Sequence, residues 1–253
     1  MKISIITVCF NSAETIGQTL QSVSEQSYNN IEHIVVDGGS IDNTLKIIEI
    51  DGNHISKIIS EPDEGIYDAM NKGLSLSSGD IVGFLNSDDT YADAVILSDV
   101  VKKFELNSID FVYGDIIIKN NNGETVRYWR TGEISKNKRW VGQIPHPAFF
   151  VRRSVLNLLN PAFDSSYNIS ADLKQQLILI NKHGVRGSYL QRTLVHMSIG
   201  GASTRGIRNY IIGWKESVRA YNEVFGSGGW WYTVKKISSK IRGIRNINQF
   251  HSR

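Results

Sequence analysis

The chain has 253 residues, of which 41% are hydrophobic and 21% charged, and its formal net charge is +3. That length can bury a full α/β core, and the composition is far from the polar, highly charged corner in which chains stay disordered. The single cysteine, Cys9, excludes an internal disulfide and lies in an apolar run, which marks it as a buried thiol in a reduced compartment, the cytosol.

Residues 3–10 form an apolar run that suits a strand covered on both faces. With one positive charge before it and no small-residue cleavage site after it, the run is too short for a signal peptide core. Asn11-Ser12-Ala13-Glu14 supplies an N-cap with a carboxylate three positions on, and Ile16, Leu20 and Val23 recur at helical spacing. The pattern repeats, with strands predicted over 33–36, 55–60 and 81–85 and helices over 42–50 and 65–76. Strands separated by helices predict a doubly wound, mostly parallel, Rossmann-like sheet. Further on, the spacing predicts a helix over 94–106, strands over 111–119 and 124–130 around an Asn-rich turn, and a helix over 171–182. No apolar window reaches the roughly 18 residues of a spanning helix, so membrane contact would be peripheral.

The charge is uneven. From Arg205 onward ten basic residues face two acidic ones, a balance of +8, which leaves −5 for residues 1–204. Ile207, Ile211, Trp214 and Val218 lie on one helical stripe, and Trp230, Trp231 and Tyr232 precede a run of lysines and arginines. Basic residues interleaved with aromatics suit an anionic membrane surface, and a helical cap with solvated charges is the simpler alternative. No recognised nucleic-acid-binding fold accompanies them. The expected organisation is one unit over 1–204, whose strand-helix alternation loosens after residue 90, followed by a basic helical tail over 205–253.

Doubly wound sheets bind ligands beyond the carboxyl ends of their strands, and here those ends carry three acidic clusters. Asp88 and Asp89 follow the fourth strand. Adjacent carboxylates in a crevice repel unless a cation or solvent intervenes, and oxygen ligands suit Mg²⁺ or Mn²⁺. The plainer reading has them capping a helix near Ala92. Asp37-Gly38-Gly39-Ser40 follows the second strand and reads either as a turn and cap or as a carboxylate beside a close backbone approach. Glu61-Pro62-Asp63-Glu64-Gly65 follows the third.

Taken with Thr7-Val8-Cys9-Phe10-Asn11, the run from Glu61 to Gly73 and Leu85-Asn86-Ser87-Asp88-Asp89, these motifs resemble glycosyltransferase family 2 and its GT-A fold. The run from Glu61 is closest to bacterial members that build O-antigen and capsular polysaccharide. The resemblance covers about residues 1–200 and implies a catalytic unit over 1–204, with a nucleotide-binding half over 1–90 and an acceptor-side half over 91–204. It implies an inverting enzyme that takes a hexose or N-acetylhexosamine from a UDP-sugar, with Mn²⁺ or Mg²⁺, and passes it to a saccharide on a polyprenyl diphosphate. It implies a cytoplasmic protein at the inner face of the cell membrane, and it leaves a homodimer open.

By that resemblance, Thr7, Phe10, Asn11, Asp37, Gly38, Asp63, Asn86 and Ser87 bind the nucleotide-sugar. Asp88 and Asp89 hold the metal, and Asp172, opening a helix, is the general base. A carboxylate is a weak base in water, and burial or a neighbouring charge strengthens it. His196 and the segment from Gly200 through Ser203 and Arg205 resemble a lid over the diphosphate, and Pro145-His146-Pro147 resembles the segment before an acceptor-side strand over 148–152, with His146 facing the acceptor or a phosphate. Asn86 stands where the family often has aspartate, which removes one charge from the metal site. A sugar nucleotidyltransferase would share the sheet and the metal, but would be expected to carry a glycine-rich basic loop at Asn11-Ser12-Ala13-Glu14. A non-catalytic sugar-nucleotide-binding module would have no use for Asp172.

Overall fold

The computed structural model describes residues 1–106, 108–120, 122–134, 143–199 and 206–245, the last seven by backbone alone. Its centre is a nine-stranded sheet. Four strands, β1 (Ile3–Cys9), β2 (Ile31–Asp37), β3 (Ile55–Ser60) and β4 (Ile81–Phe84), run parallel in the order β3-β2-β1-β4. The helices between them are α1 (Ile16–Ser24), α2 (Thr44–Asp51) and α3 (Ile66–Leu76). The sheet continues through β8 (Phe149–Arg152), β6 (Phe111–Lys119), β9 (Gly187–Ser198) and β5 (Asp89–Tyr91), with β7 (Thr125–Trp129) hooked onto β6. β6 and β9 are parallel to each other; β8, β5 and β7 run against their neighbours.

Alternation along β1 explains the layering. Ile3 and Ile5 face one core with α4 (Ile96–Leu106), where Leu97, Val100 and Phe104 are buried. Ile6 and Val8 face the other, with α3 and with α6 (Ala171–Leu177). Both faces of the strand are covered, as its unbroken apolar run requires.

Several elements differ from the sequence reading. α1 begins at Ile16 with Thr15 as N-cap and no side-chain capping bond, because residues 12–15 form a turn closed on the Ser12 carbonyl. The helix expected over 171–182 is α6 followed by a wider π-helical turn, Ile178–Lys182. β9 was not foreseen. Its pairing with β6 skips from Leu190 opposite Gly114 to Thr193 opposite Asp115, so Gln191 and Arg192 bulge out and break the strand's two-residue period.

The C-terminal region forms two helices, α7 (Gly206–Phe225) and α8 (Gly229–Arg245). Ala220, Tyr221, Val224 and Tyr232 join the same core as Ile6 and Leu173, and Tyr221 stacks on Tyr232 with centroids 4.7 Å apart. The apolar stripe read from the sequence lies off this packed face: Ile207 is 81% exposed, Trp214 45%, Trp230 70% and Trp231 75%. No described helix is long and apolar enough to cross a membrane.

Candidate active site

Parallel register sets the strand ends level. Cys9 lies opposite Asp37, Asp37 opposite Ser60, and Phe84 opposite Ile6. The four loops beyond them are tied to one another. The Gly38 N–H donates to the Cys9 carbonyl at 2.9 Å and the Glu61 N–H to the Asp37 carbonyl at 3.0 Å. The Asn11 N–H donates to Ser40 Oγ at 2.8 Å, and the Ile41 N–H to Asn11 Oδ1 at 3.0 Å. Ser12 Oγ and Ser87 Oγ share a hydrogen bond at 2.8 Å, which joins the first loop to the fourth.

Asp37 organises this junction from beneath. It is buried, and it accepts from the Gly39 and Ser40 N–H groups, from Ser60 Oγ at 2.7 Å and from the Ser40 hydroxyl. Burial alone would raise its pKa, but these donors outweigh burial and hold it below the usual carboxylate value. The structure therefore commits the Asp37 carboxylate to shaping the loop. It does not cap α2; Asp42 Oδ1 accepts from the Thr44 N–H there.

Gly38 is where the second and third loops touch. A Cβ on it would lie 2.4 Å from Asp63 Oδ2, so any larger residue would push the Asp63 carboxylate out of this approach. Asp63 in turn accepts from the Gly65 N–H at 2.8 Å, and Gly65 starts α3 with φ of 115°. Lys72 braces the same loop through Glu61 at 2.9 Å and Asp68 at 3.2 Å. Phe10 is 61% exposed, whereas Thr7 is buried and bonded to His33 Nε2 at 3.0 Å. Thr7 thus supports the floor of the first loop, and Phe10 and Asn11 are its open face.

The fourth loop carries the acidic pair. Asp89 starts strand β5 and α4 begins only at Ile96, so neither carboxylate caps that helix. Asp88 is partly exposed and Asp89 buried. Burial, reinforced by the Asp88 charge, raises the Asp89 pKa well above the usual value. Asn86 Nδ2 donates to Asp89 Oδ2 at 3.2 Å, while Asn86 Oδ1 and Asp89 Oδ1 are buried without a partner among the described residues. Two orphaned oxygens beside a second carboxylate fit a hard divalent cation in chemistry. Among the described residues no group of three or more His, Cys, Asp or Glu side chains could hold one alone, so the set fits a cation that shares its shell with a diphosphate and water.

Asp172 lies in the first turn of α6 and is 7% exposed. Tyr67 OH donates to its Oδ1 at 3.3 Å and Gln143 Nε2 to its Oδ2 at 3.0 Å. Tyr67 is the second residue of α3, directly after the third loop, so this hydroxyl links Asp172 to the strand ends. Burial, then the Asp172 charge, raises the Tyr67 pKa well above its usual value, which keeps it a donor. Glu216 of α7 fixes the approach to α6: Oε1 accepts from the Asn168 N–H at 2.8 Å, and Oε2 from the N–H groups of Ile169 at 2.8 Å and Ser170 at 2.9 Å. The sequence reading missed Tyr67, Gln143 and Glu216, since each acts through a partner about 30 to 100 residues away.

His196 is in β9 opposite Thr90, and not in a loop. Its Nδ1 lies 3.2 Å from Lys119 Nζ, and burial together with Lys119 lowers its pKa. Ser203, with Gly200, Gly201, Ala202, Thr204 and Arg205, lies outside the described residues.

The chain is similar to known proteins in sequence and in fold. A family model described as Glycosyl transferase family 2 matches residues 4–162. A PGL/p-HBAD biosynthesis glycosyltransferase of Mycobacterium bovis is 32% identical over 173 residues, covering 67% of this chain and 66% of that protein. An Escherichia coli UDP-Glc:alpha-D-GlcNAc-diphosphoundecaprenol beta-1,3-glucosyltransferase, WfgD, is 34% identical over 137 residues and 54% of each chain. The chain thus spans slightly under two thirds of the first relative and about half of the second. In fold it resembles S. aureus TarS 1-349 in complex with UDP-GlcNAc, with a TM-score of 0.68 at 20% identity over 88% of this chain and 67% of that one. It also resembles the mannosyltransferase PcManGT from Pyrobaculum calidifontis in complex with GDP-Man and Mn²⁺, with a TM-score of 0.67 at 19% identity over 90% and 65%. The expected GT-A architecture is the one observed, and with the family match running through all four strand-end loops, this chain belongs to glycosyl transferase family 2.

Proposed function

We propose that this chain is a metal-dependent, inverting glycosyltransferase that moves a hexose or N-acetylhexosamine from a UDP-sugar to a saccharide acceptor. The observation that carries the proposal is the chain of contacts joining the four strand-end loops to one another and, through Tyr67, to Asp172. The UDP donor is supported by the UDP-GlcNAc complex of TarS and the UDP-Glc donor named for WfgD. A lipid-diphosphate glycan as acceptor, in O-antigen or capsule synthesis, is supported by WfgD.

Asp88, with Asp89 and Asn86 behind it, would hold Mn²⁺ or Mg²⁺, which when bound supplies charge neutralisation of the departing diphosphate. Phe10, Asn11, Gly38 and Asp63 form the walls of the nucleotide site, shaped by Asp37. Asp172 takes the proton of the acceptor hydroxyl as that oxygen attacks the anomeric carbon in line. Tyr67 and Gln143 each bond one oxygen of Asp172, which fixes the carboxylate plane and leaves a lone pair on each oxygen for the proton. A single displacement of this kind inverts the anomeric centre.

The segment 205–253 is proposed to rest on an anionic membrane at the cytoplasmic face. Exposed Ile207, Ile211, Trp214, Trp230, Trp231 and Val234, together with an excess of eight positive charges, support this. Because Tyr232 is buried in the core, the tail is best tested by Trp230→Ser with Trp231→Ser. The double variant should sediment less with anionic vesicles; equal sedimentation would remove this role. Turnover of UDP-glucose, UDP-galactose and their N-acetyl forms by wild type and Asp88→Ala tests the enzyme reading itself. The variant should lose at least about 100-fold in kcat, and equal turnover in the two would defeat the metal assignment.

A further inference from the structure

The segment leading into β8 carries a histidine that the proposed reaction leaves unused. His146 opens a 3₁₀ turn, His146–Ala148, between Pro145 and Pro147. The Ala148 N–H closes the turn on the Pro145 carbonyl at 3.0 Å, and two proline-fixed φ angles leave the backbone little freedom. The ring lies 5.1 Å from that of Phe84 and, edge-on, 5.5 Å from that of Phe163. Both ring nitrogens are buried, and among the described residues neither has a hydrogen-bond partner.

Burial holds the imidazole below its usual pKa even though the Asp172 carboxylate pulls the other way. A neutral ring carries one N–H donor and one bare acceptor nitrogen. Leaving both unmatched in an aromatic nest is costly, and a phenylalanine there would avoid the cost. The place of the ring narrows the explanation. Phe84 ends β4 two residues before Asn86, and Phe163 stacks on Tyr67, the donor to Asp172. His146 therefore stands between the loop proposed for the diphosphate and the proposed base. An anion would meet repulsion from Asp172 there, whereas a hydroxyl both donates and accepts, as the neutral ring does.

We propose that His146 binds saccharide hydroxyls at the reaction centre, donating to one oxygen through one ring nitrogen and accepting from a second hydroxyl through the other. This rests on the glycosyltransferase reading and adds a substrate contact to it. His146→Phe keeps the ring packing and removes both nitrogens; His146→Gln returns one donor and one acceptor. Calorimetric titration with UDP, UDP-glucose and UDP-GlcNAc, and transfer rates to a synthetic GlcNAc-diphospho-lipid, separate the two sources of the hydroxyls. In His146→Phe a loss of about 3- to 10-fold is expected, falling on UDP-sugar affinity if the hydroxyls are the donor's and on acceptor KM if they are the acceptor's. UDP affinity should hold, His146→Gln should recover part of the loss, and Tm should stay or rise. Wild-type values for both UDP-sugar affinity and acceptor KM would overturn the proposal, as would an equal loss in UDP affinity. If His146→Phe does not fold, His146→Leu gives the same readings. Failure of the wild-type protein to bind any UDP-sugar would instead remove the glycosyltransferase reading.

Discussion

Glu216→Ala tests whether a helix of the C-terminal region holds the proposed base in place. The carboxylate takes three main-chain N–H groups, those of Asn168, Ile169 and Ser170, at 2.8 to 2.9 Å, and Asn168 Nδ2 at 3.3 Å. It is 8% exposed, so water does not replace it freely. A hydrogen bond to a charged group contributes about 1.5–3 kcal/mol. Some relaxation of the loop and entry of water bring the expected loss below three times that value, to about 3–5 kcal/mol. With a urea m-value of about 2 kcal/mol/M the unfolding midpoint should fall by about 1.5–2.5 M. Glu216→Gln, which keeps one accepting oxygen, should lose about half as much. In kinetics kcat should fall far more than UDP affinity, by about 100-fold, because Asp172 follows the freed loop by two residues while the β1 to β4 loops are untouched. A midpoint shift below about 0.5 M, the size expected of a surface substitution, would refute the reasoning, and so would a loss of UDP affinity as large as the loss of kcat.

Asp172→Asn keeps both side-chain partners in reach but removes the proton acceptor; transfer should drop about 100- to 10,000-fold with UDP affinity intact, and retained transfer would exclude it as base. Gly38→Ala places a methyl 2.4 Å from Asp63 Oδ2 and displaces that carboxylate, so titration should find UDP affinity about 10-fold weaker, about 1.4 kcal/mol; unaltered affinity would show that this approach does not shape the site. His33 is held down to about 3 by burial and then by His54. The folded chain binds fewer protons than the unfolded one between that value and about 6.5. Stability contributed by the neutral ring is therefore complete above about pH 6.5 and lost as pH falls toward 3, at up to about 1.4 kcal/mol per pH unit. Urea melts from pH 7 to 4 should show that slope, and His33→Gln should flatten it.

The strand-helix alternation of the first 90 residues was legible because β1, β2 and β4 are buried apolar runs and α1 and α3 each bury a periodic face, and β3 and β6 fall where the pattern placed them. The loops that meet at the site were legible as well, since a parallel sheet puts its ligand-facing loops at known chain positions. What those loops do internally was not. Asp37 carries the residue type of a ligand contact, yet its oxygens are taken by Ser40, Ser60 and two backbone N–H groups, and no local pattern announces that. β5 has three residues, too few for a period to register, and the bulge at Gln191 and Arg192 hides β9. Arg192 explains the bulge: it reaches across to Asp93 and Asp99. In α7 the amphipathic stripe was found, but its orientation was open. The face that packs is built on Ser217, Ala220, Tyr221 and Val224 around the buried Glu216, and the more apolar stripe points outward.

The stack of Tyr221 on Tyr232 has a bearing on how hybrids of this enzyme should be made. Tyr232 fills a place in the central core, and Glu216 clamps the peptide ahead of Asp172. A splice at residue 205 would leave the peptide ahead of Asp172 without its clamp and a cavity where the aromatic pair sat. Grafts meant to exchange the proposed acceptor side should carry residues 163–238 as one block, joined to the loops proposed for the donor near the end of the family match at residue 162.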